Sequence, residues 1–381
     1  MPLIQERGPA RYFHGREPEL AAFTEELVAA TENRGGTTFL VQGPPGVGKT
    51  ALLAKCTEQA RNQGWHAVDI GEAALYDPGA FMDAIDQRYK METMTEVGGN
   101  VKIVCGTVQT HIAGAKLGRL MRDAAHDGGL LLVFDEVQGM ADYYKANAAK
   151  AAEMPRMLNN IHNGKLQAPV ILLAGGLGHS RDAFRDLGVS RFERPCFVNL
   201  GRLSPDAEHA VIRDWLVKDG TAAPDDPALS QWITTIASQT HGWPQHIMAF
   251  VRPAMPRLTS DGGRLVDKTL KAVLKEGRAA QNAYYLARVS ALEPEHRTAI
   301  AALAADMRGR VGLSRKTLIS RLATHDTMAH PEQIFSMSVA SGVFARTPGE
   351  GYIIPVSPMR TWMQEEYIPG RPPFPRPLNA P

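Results

Sequence analysis

The sequence predicts an α/β fold: a three-layer arrangement with a parallel sheet covered by helices on both faces, followed by helical modules. Three observations predict it. Apolar runs of strand length recur at "TTFLVQ" (37–42), "WHAVDI" (65–70), "LLLVF" (130–134), "VILLAG" (170–175) and "CFVNL" (196–200), with helix-compatible stretches between most of them. Runs that are apolar throughout fit a sheet buried on both faces. The glycine-rich "GPPGVGKT" (43–50) stands between the first run and a good helical stretch, "TALLAKCTEQARNQG", which closes on Gly64.

After Leu200 the pattern turns helical. "SPDAEHAVIRDWLVKDG" opens with Ser204 as N-cap and Pro205 in the first turn, and closes on Gly220. "ALSQWITTIASQTHG" reads as a second helix ending at Gly242, and "PQHIMAFVRPAM" as a third. From about residue 263 come further helices, then "SGVFARTPGEGYIIPV", where two β-prone runs flank a turn at Pro348, Gly349, Glu350 and Gly351. The closing "PGRPPFPRPLNAP" is proline-rich and reads as an unstructured tail. The expected division is an α/β core at 1–200, a helical module at 201–262, a helix-and-hairpin domain at 263–368 and the tail at 369–381. No internal repeat is visible.

A chain of 381 residues is long for one core, which agrees with more than one domain. With 44% hydrophobic and 22% charged residues it reads as an ordinary soluble globular protein. The net charge of +2 announces no polyanionic partner for the whole chain, but from Arg264 onward Lys and Arg exceed Asp and Glu by 16 to 10. A mildly basic end permits contact with nucleic acid and does not demand it. Cys56, Cys105 and Cys196 are widely spaced, which argues for a reducing compartment and against a disulfide frame or structural zinc. No secretory signal stands at "MPLIQERGPARYF", and no apolar run approaches the ~20 residues that span a bilayer, so the expectation is cytoplasmic with no membrane partner.

"GPPGVGKT" fits G-x-x-x-x-G-K-[ST], the phosphate loop of P-loop NTPases, in the strand–loop–helix setting that the chemistry needs. Glycines let the backbone wrap an anion, and the helix N-terminus adds partial positive charge. The nucleotide-binding set is Gly43, Pro44, Pro45, Gly46, Val47, Gly48, Lys49, Thr50 and Ala51. Lys49 is expected to reach the β- and γ-phosphates of ATP, and the Thr50 hydroxyl to bind Mg²⁺. In "LLLVFDEVQ" two carboxylates end a buried strand. Asp135 is expected in the Mg²⁺ shell, and Glu136 to orient or deprotonate the attacking water. A chain that merely bound nucleotide would need only the first.

Upstream, "YFHGREPEL" (12–20) precedes a helix. Together with "GPPGVGKT" and "LLLVFDEVQ" it resembles the AAA+ ATPases of the replication-initiator clade, and the chain is also similar to the neighbouring STAND signalling ATPases. The resemblance covers about residues 12–368 and implies an α/β core, a helical lid at 201–262 and a winged-helix domain after it. It places Arg16 beside the adenine. It also makes Arg191 in "VSRFERP", with Arg194 second, an arginine finger reaching ATP on the next subunit of a homo-oligomer or of a partner ATPase; an ordinary surface or ion-pair arginine is the other reading. Two departures point to slow, switch-like turnover. The fourth strand should end in a polar residue, but it reads Ala174, Gly175, Gly176, so that Ser180, His179 or nothing takes that place. In the lid, "HGWPQHI" puts Gln245 where the family has an arginine, and Gln donates a hydrogen bond without charge.

The C-terminal stretches resemble the helix–helix–helix–hairpin order of a winged helix. DNA contact would use Arg315, Lys316, Arg321 and Arg346, but the third helix offers Glu332, Gln333, Ser336 and Ser338 and no base-reading cation, so docking to a protein stays open beside it. "VGGNVKIVCGTVQTHIAG" (97–114) reads as a hairpin insertion in which Lys102 and His111, with Lys116 just beyond, meet a polyanion or a partner, or as a packed edge ribbon. The functional expectation is a slow ATPase acting on a DNA or nucleoprotein target, with a signalling or defence switch as the alternative.

Overall fold

The computed structural model describes residues 10–71, 77, 79–81, 83–86, 128–140, 143, 147, 153–186, 189, 196–304, 307, 312–325, 330–347 and 351–368. The expected insertion at 97–114, Lys116, Cys105, Arg191, Arg194, the turn residues 348–350 and the tail from 369 lie outside them.

Five strands form one parallel sheet: β1 (Gly36–Gln42), β2 (His66–Ile70), β3 (Leu130–Phe134), β4 (Val170–Gly176) and β5 (Phe197–Asn199), in the order β2-β3-β4-β1-β5. Every residue of β3 and β4 is buried, as runs without polar alternation require of a sheet covered twice. Alternate side chains part to the two faces. Leu131, Val133, Ile171 and Leu173 meet α1 (Glu17–Asn33) and α2 (Lys49–Asn62) through Phe23, Leu27, Leu52 and Leu53. Leu130, Leu132, Phe134 and Leu172 face the other way, onto Leu158 and Ile161 of α3 (Glu153–His162) and Phe184 of α4 (Ser180–Asp186). From β1 the chain crosses to β2 at one edge, while β5 lies on the other side of β1. The C-terminal end of β1 is therefore a switch point, where α/β sheets bind ligands.

The helical segment begins with α5 (Pro205–Asp214), capped by Ser204, whose Oγ accepts from Ala207 N at 3.3 Å. It runs on into a π-helical turn at Trp215–Asp219, which sequence patterning did not foresee, and stops at Gly220. Trp232, Ile236 and Phe250 centre the core between α6 (Leu229–Thr240) and α7 (Pro244–Ser260). Buried Glu208 holds the turn between them, accepting from Thr240 Oγ1 and, at 2.6 Å, from Gly242 N. The long α8 (Asp267–Val289) then lies along α7.

Next come α9 (Pro294–Ala304), α10 (Arg315–His325), α11 (Pro331–Ala340), the antiparallel pair β6 (Ala345–Arg346) and β7 (Tyr352–Ile353), and α12 (Ser357–Tyr367). Ser314 Oγ accepts from Thr317 N at 3.1 Å at the start of α10. One apolar cluster runs from Phe23, Leu52 and Ile171 through Trp243 and Tyr284 to Ile300, Phe344 and Met359, so these helices share a core with the sheet. Cys56 and Cys196 are free thiols, and burial pushes their pKa values up to about 12 and about 11. Among the described residues no helix is long and apolar enough to cross a membrane.

Candidate functional site

The loop at 43–50 leaves β1 and opens α2. Its first amide, Gly43 N, donates to Gly176 O at 3.1 Å, which ties the loop to the end of β4. Gly46 and Gly48 have φ of 74° and 97°, backbone that a side chain disfavours and that turns successive amides toward one concavity. Lys49 is buried at 6% exposure, and its Nζ donates to Gly43 O and Pro44 O at 3.2 and 3.3 Å. Burial lowers its pKa, against the nearby carboxylates of Glu136 and Asp135, and the Arg288 guanidinium lowers it further.

The two halves of the sequence motif meet here. Thr50 Oγ1 donates to Asp135 Oδ2 at 2.7 Å, so a hydroxyl and a carboxylate from distant segments stand side by side. This is the donor set with which P-loop proteins hold Mg²⁺, which takes one or two protein oxygens and completes its shell from phosphate and water. Asp135 Oδ1 accepts from Glu136 N at 3.0 Å. Glu136 has φ 58°, a left-handed conformation uncommon outside glycine, and its carboxylate is exposed. Such strain costs about 1–3 kcal/mol and collects at functional positions.

The glycines that end β4 have a steric reason. A Cβ on Gly175 would stand 2.6 Å from Leu53 Cδ1 and 2.8 Å from Asp135 Oδ1, so a side chain there has to displace Leu53 or the carboxylate. A Cβ on Gly176 would fall 2.0 Å from Ser180 Oγ. The Ser180 hydroxyl occupies that space, buried and, among the described residues, without a hydrogen-bond partner. Of the two substitutes that the sequence offered, Ser180 is the one at the strand end.

Arg16 and Gln245 both reach the loop, through its backbone. Arg16 opens α1 with φ 73°, and its side chain, 9% exposed, donates to Val47 O at 3.4 Å and Gly201 O at 2.5 Å beside an ion pair with Glu19. Burial lowers its pKa. It clasps the loop to the segment that leads into α5. Gln245 N donates to Gly46 O at 3.2 Å, and its side chain packs on Gly46 where a Cβ would be. Arg191 and Arg194 lie outside the described residues. Ala51 follows Thr50 in the first turn of α2.

Several contacts were missed by sequence reasoning. Tyr284 on α8, its hydroxyl pKa raised by burial, donates to Pro45 O at 2.9 Å with the Arg288 guanidinium 4.9 Å from its ring. Gly342, after α11, lies against the Pro45 ring. Arg346 donates to Asp182 Oδ2 at 2.5 Å, and Arg315 pairs with Glu332, so both of these cations expected for DNA are engaged within the chain. Gln138 bridges Glu136 to the loop after β4. Tyr12 donates to Asp219 at 3.0 Å and His14 pairs with Asp214 at 2.7 Å, strapping the N-terminal segment to the π-turn. No signal in the sequence pairs such distant residues. A cavity of about 780 Å³ touches the loop at Gly43 and Pro44 and is otherwise lined by residues such as Asn199, Arg202, Trp243 and Arg346; Lys49, Thr50, Asp135 and Glu136 are not in its wall.

Residues 12–173 match the AAA ATPase domain family. No curated protein matches the chain. Among solved structures, the ORC2 protein of Aeropyrum pernix in its ADP form superposes with a TM-score of 0.54 at 12% identity, covering 93% of this chain and 92% of that one. The same protein in ADPNP–ADP complexes gives 0.51 at 13% identity, with 93% and 96% covered. A STAND protein of Pyrococcus horikoshii with a tetratricopeptide repeat sensor aligns over 96% of this chain and 44% of its own, with a TM-score of 0.33 and 15% identity. At these identities the likeness to the ORC2 structures speaks to the fold alone. Residues 12–173 are thus similar to the AAA ATPase domain family, and the five-stranded parallel sheet has the α/β fold seen in AAA+ ATPases.

Proposed function

We propose that this protein binds Mg-ATP at residues 43–51, hydrolyses it slowly, and uses the nucleotide state to set how its helical and C-terminal parts sit on the core. The observation that carries the reading is the 2.7 Å contact of Thr50 with Asp135 beside buried Lys49. Loop amides and Lys49 bind the phosphates. Thr50 and Asp135 hold Mg²⁺, which when bound neutralises charge on the phosphate oxygens. Glu136 orients the attacking water. Gln245 and Arg16 brace the loop, and Arg191, with Arg194, serves a site on a neighbouring copy. Slow turnover follows from an uncharged Gln245 and from a β4 that itself ends on Gly175 and Gly176. Residues 201–262 act as the lid and 263–368 as a winged-helix-like domain that docks a partner.

Tyr284 and Gly342 on Pro45 support a nucleotide-governed switch, because both sit on the loop that would hold the phosphates. A DNA target through 264–368 is the second reading, favoured by the basic surplus there. DNA-stimulated turnover that falls steeply with salt would single it out. The primary test is Glu136→Gln, expected to retain ATP binding and lose turnover by about 10²-fold or more. Mixing it with Arg191→Ala should restore activity if sites are shared between subunits. Equal turnover of Glu136→Gln and wild type would contradict the assignment.

A further inference from the structure

Glu136 is exposed and sits on a stem with two methylenes, so nothing in its own backbone selects one rotamer. Holding such a side chain in a single orientation costs on the order of 1–2 kcal/mol of rotamer entropy. A neighbour does hold it. Gln138 Nε2 donates to Glu136 Oε2 at 2.5 Å, a bond assisted by the carboxylate charge, while Gln138 Oε1 accepts from Leu177 N at 3.1 Å. The two partners fix the amide orientation, since a carboxylate needs the NH₂ end and a backbone N–H needs the oxygen. Leu177 follows Gly176, which in turn accepts from Gly43 of the phosphate loop. One amide head therefore ties the carboxylate on the β3 side to the strand exit on the β4 side. It does so where a side chain on Gly175 would have to displace Leu53 or Asp135.

We infer that Gln138 is a positioning residue for Glu136: it fixes the carboxylate for water attack and registers it to the loop after β4. The inference rests on the reading of Glu136 as the water-orienting group. Only a head that carries both a donor and an acceptor fills the post. Gln138→Glu keeps the acceptor for Leu177 and turns the donor into a second carboxylate facing Glu136. Gln138→Met keeps the length and loses both bonds.

The test measures ATP affinity, single-turnover hydrolysis and amide exchange at Leu177 in wild type, Gln138→Met, Gln138→Glu and Glu136→Gln. Positioning predicts unchanged ATP affinity in both Gln138 variants, with the hydrolysis step slowed about tenfold or more in each. The Leu177 amide should lose protection in Gln138→Met and keep it in Gln138→Glu. Adding Gln138→Met to Glu136→Gln should slow hydrolysis no further, because the effect of Gln138 on turnover passes through that carboxylate. Should Gln138→Met fail to fold, Gln138→Glu carries the comparison. Wild-type hydrolysis by Gln138→Glu beside a slow Gln138→Met overturns the inference, leaving Gln138 as a loop brace; so does wild-type hydrolysis by both, or a full further loss on the Glu136→Gln background. A wild type that binds ATP and never turns it over overturns the inference and the proposed ATPase together, whereas normal turnover with an indifferent Gln138 overturns the inference alone.

Discussion

Gly175 shows at the scale of a single residue how a departure from a family pattern can be a requirement of packing. The space that a polar side chain would take is filled by Leu53 Cδ1 and Asp135 Oδ1. Gly175→Ala should therefore push the carboxylate from Thr50 and destabilise the fold by about 1–3 kcal/mol. Thermal unfolding together with ATP titration checks both effects; an alanine variant as stable and as avid as wild type would show that Leu53 moves aside freely. Lys49, Thr50, Asp135 and Glu136 were legible from sequence, because loop chemistry fixes their spacing within short motifs. The reason for Gly175 was not, since its neighbours are 40 and 122 positions away along the chain. Gln138 stands within the "LLLVFDEVQ" motif, yet its contacts depend on the left-handed turn at Glu136, which no residue pattern announces.

At the scale of elements, strands read well. "LLLVF" is β3 from end to end, because a run apolar on both faces has one way to be buried. The caps at Ser204 and Ser314 read equally well, being local chemistry. Hidden were the π-turn and the way the start of α7 seats on the phosphate loop, which are set by tertiary contact. That seat carries a buried imidazole. His246, 1% exposed, lies against Tyr284 and Tyr285 with the Gln281 amide nitrogen 3.1 Å from Nδ1. Burial first, and the neighbouring His241 second, push its pKa down to about 3. An unfolded histidine titrates near ~6.5, so below that pH the unfolded chain takes a proton that the folded chain refuses. Stability should fall by roughly 1.4 kcal/mol per pH unit between the two values, and the loss ends once the folded imidazole also protonates. His246→Leu should lose less stability than wild type between pH 6.5 and pH 4.5, by about 2 kcal/mol in urea unfolding. Identical acid branches would show that His246 meets water in solution.

At the scale of the whole molecule, the C-terminal helices are continuous with the nucleotide core. Their apolar cluster is shared with the sheet, Tyr284 bonds Pro45, and Arg346 bonds Asp182 at the foot of α4. The composition of 264–368 showed charge, and its element order was readable, but nothing in it foretold that Arg346 turns inward. The Arg346–Asp182 pair is half-buried and worth on the order of 1 kcal/mol alone, so Arg346→Glu, which sets like charges together, should cost more than deletion. Small-angle scattering is expected to report a larger radius for Arg346→Glu, and the reversed pair Asp182→Arg with Arg346→Glu should recover the compact form. An unchanged radius would mean that the apolar cluster alone sets the arrangement.

The central claim is that the loop at 43–51 holds a nucleotide through its amides and Lys49, and one titration addresses it without any assumption about turnover. Calorimetry of MgATP with wild type should give saturable uptake of one nucleotide, weakened by about 100-fold or more, roughly 2.7 kcal/mol, in Lys49→Ala. Folded wild type that takes up neither ATP nor ADP at millimolar concentration, or a Lys49→Ala variant that binds as tightly as wild type, would contradict the account.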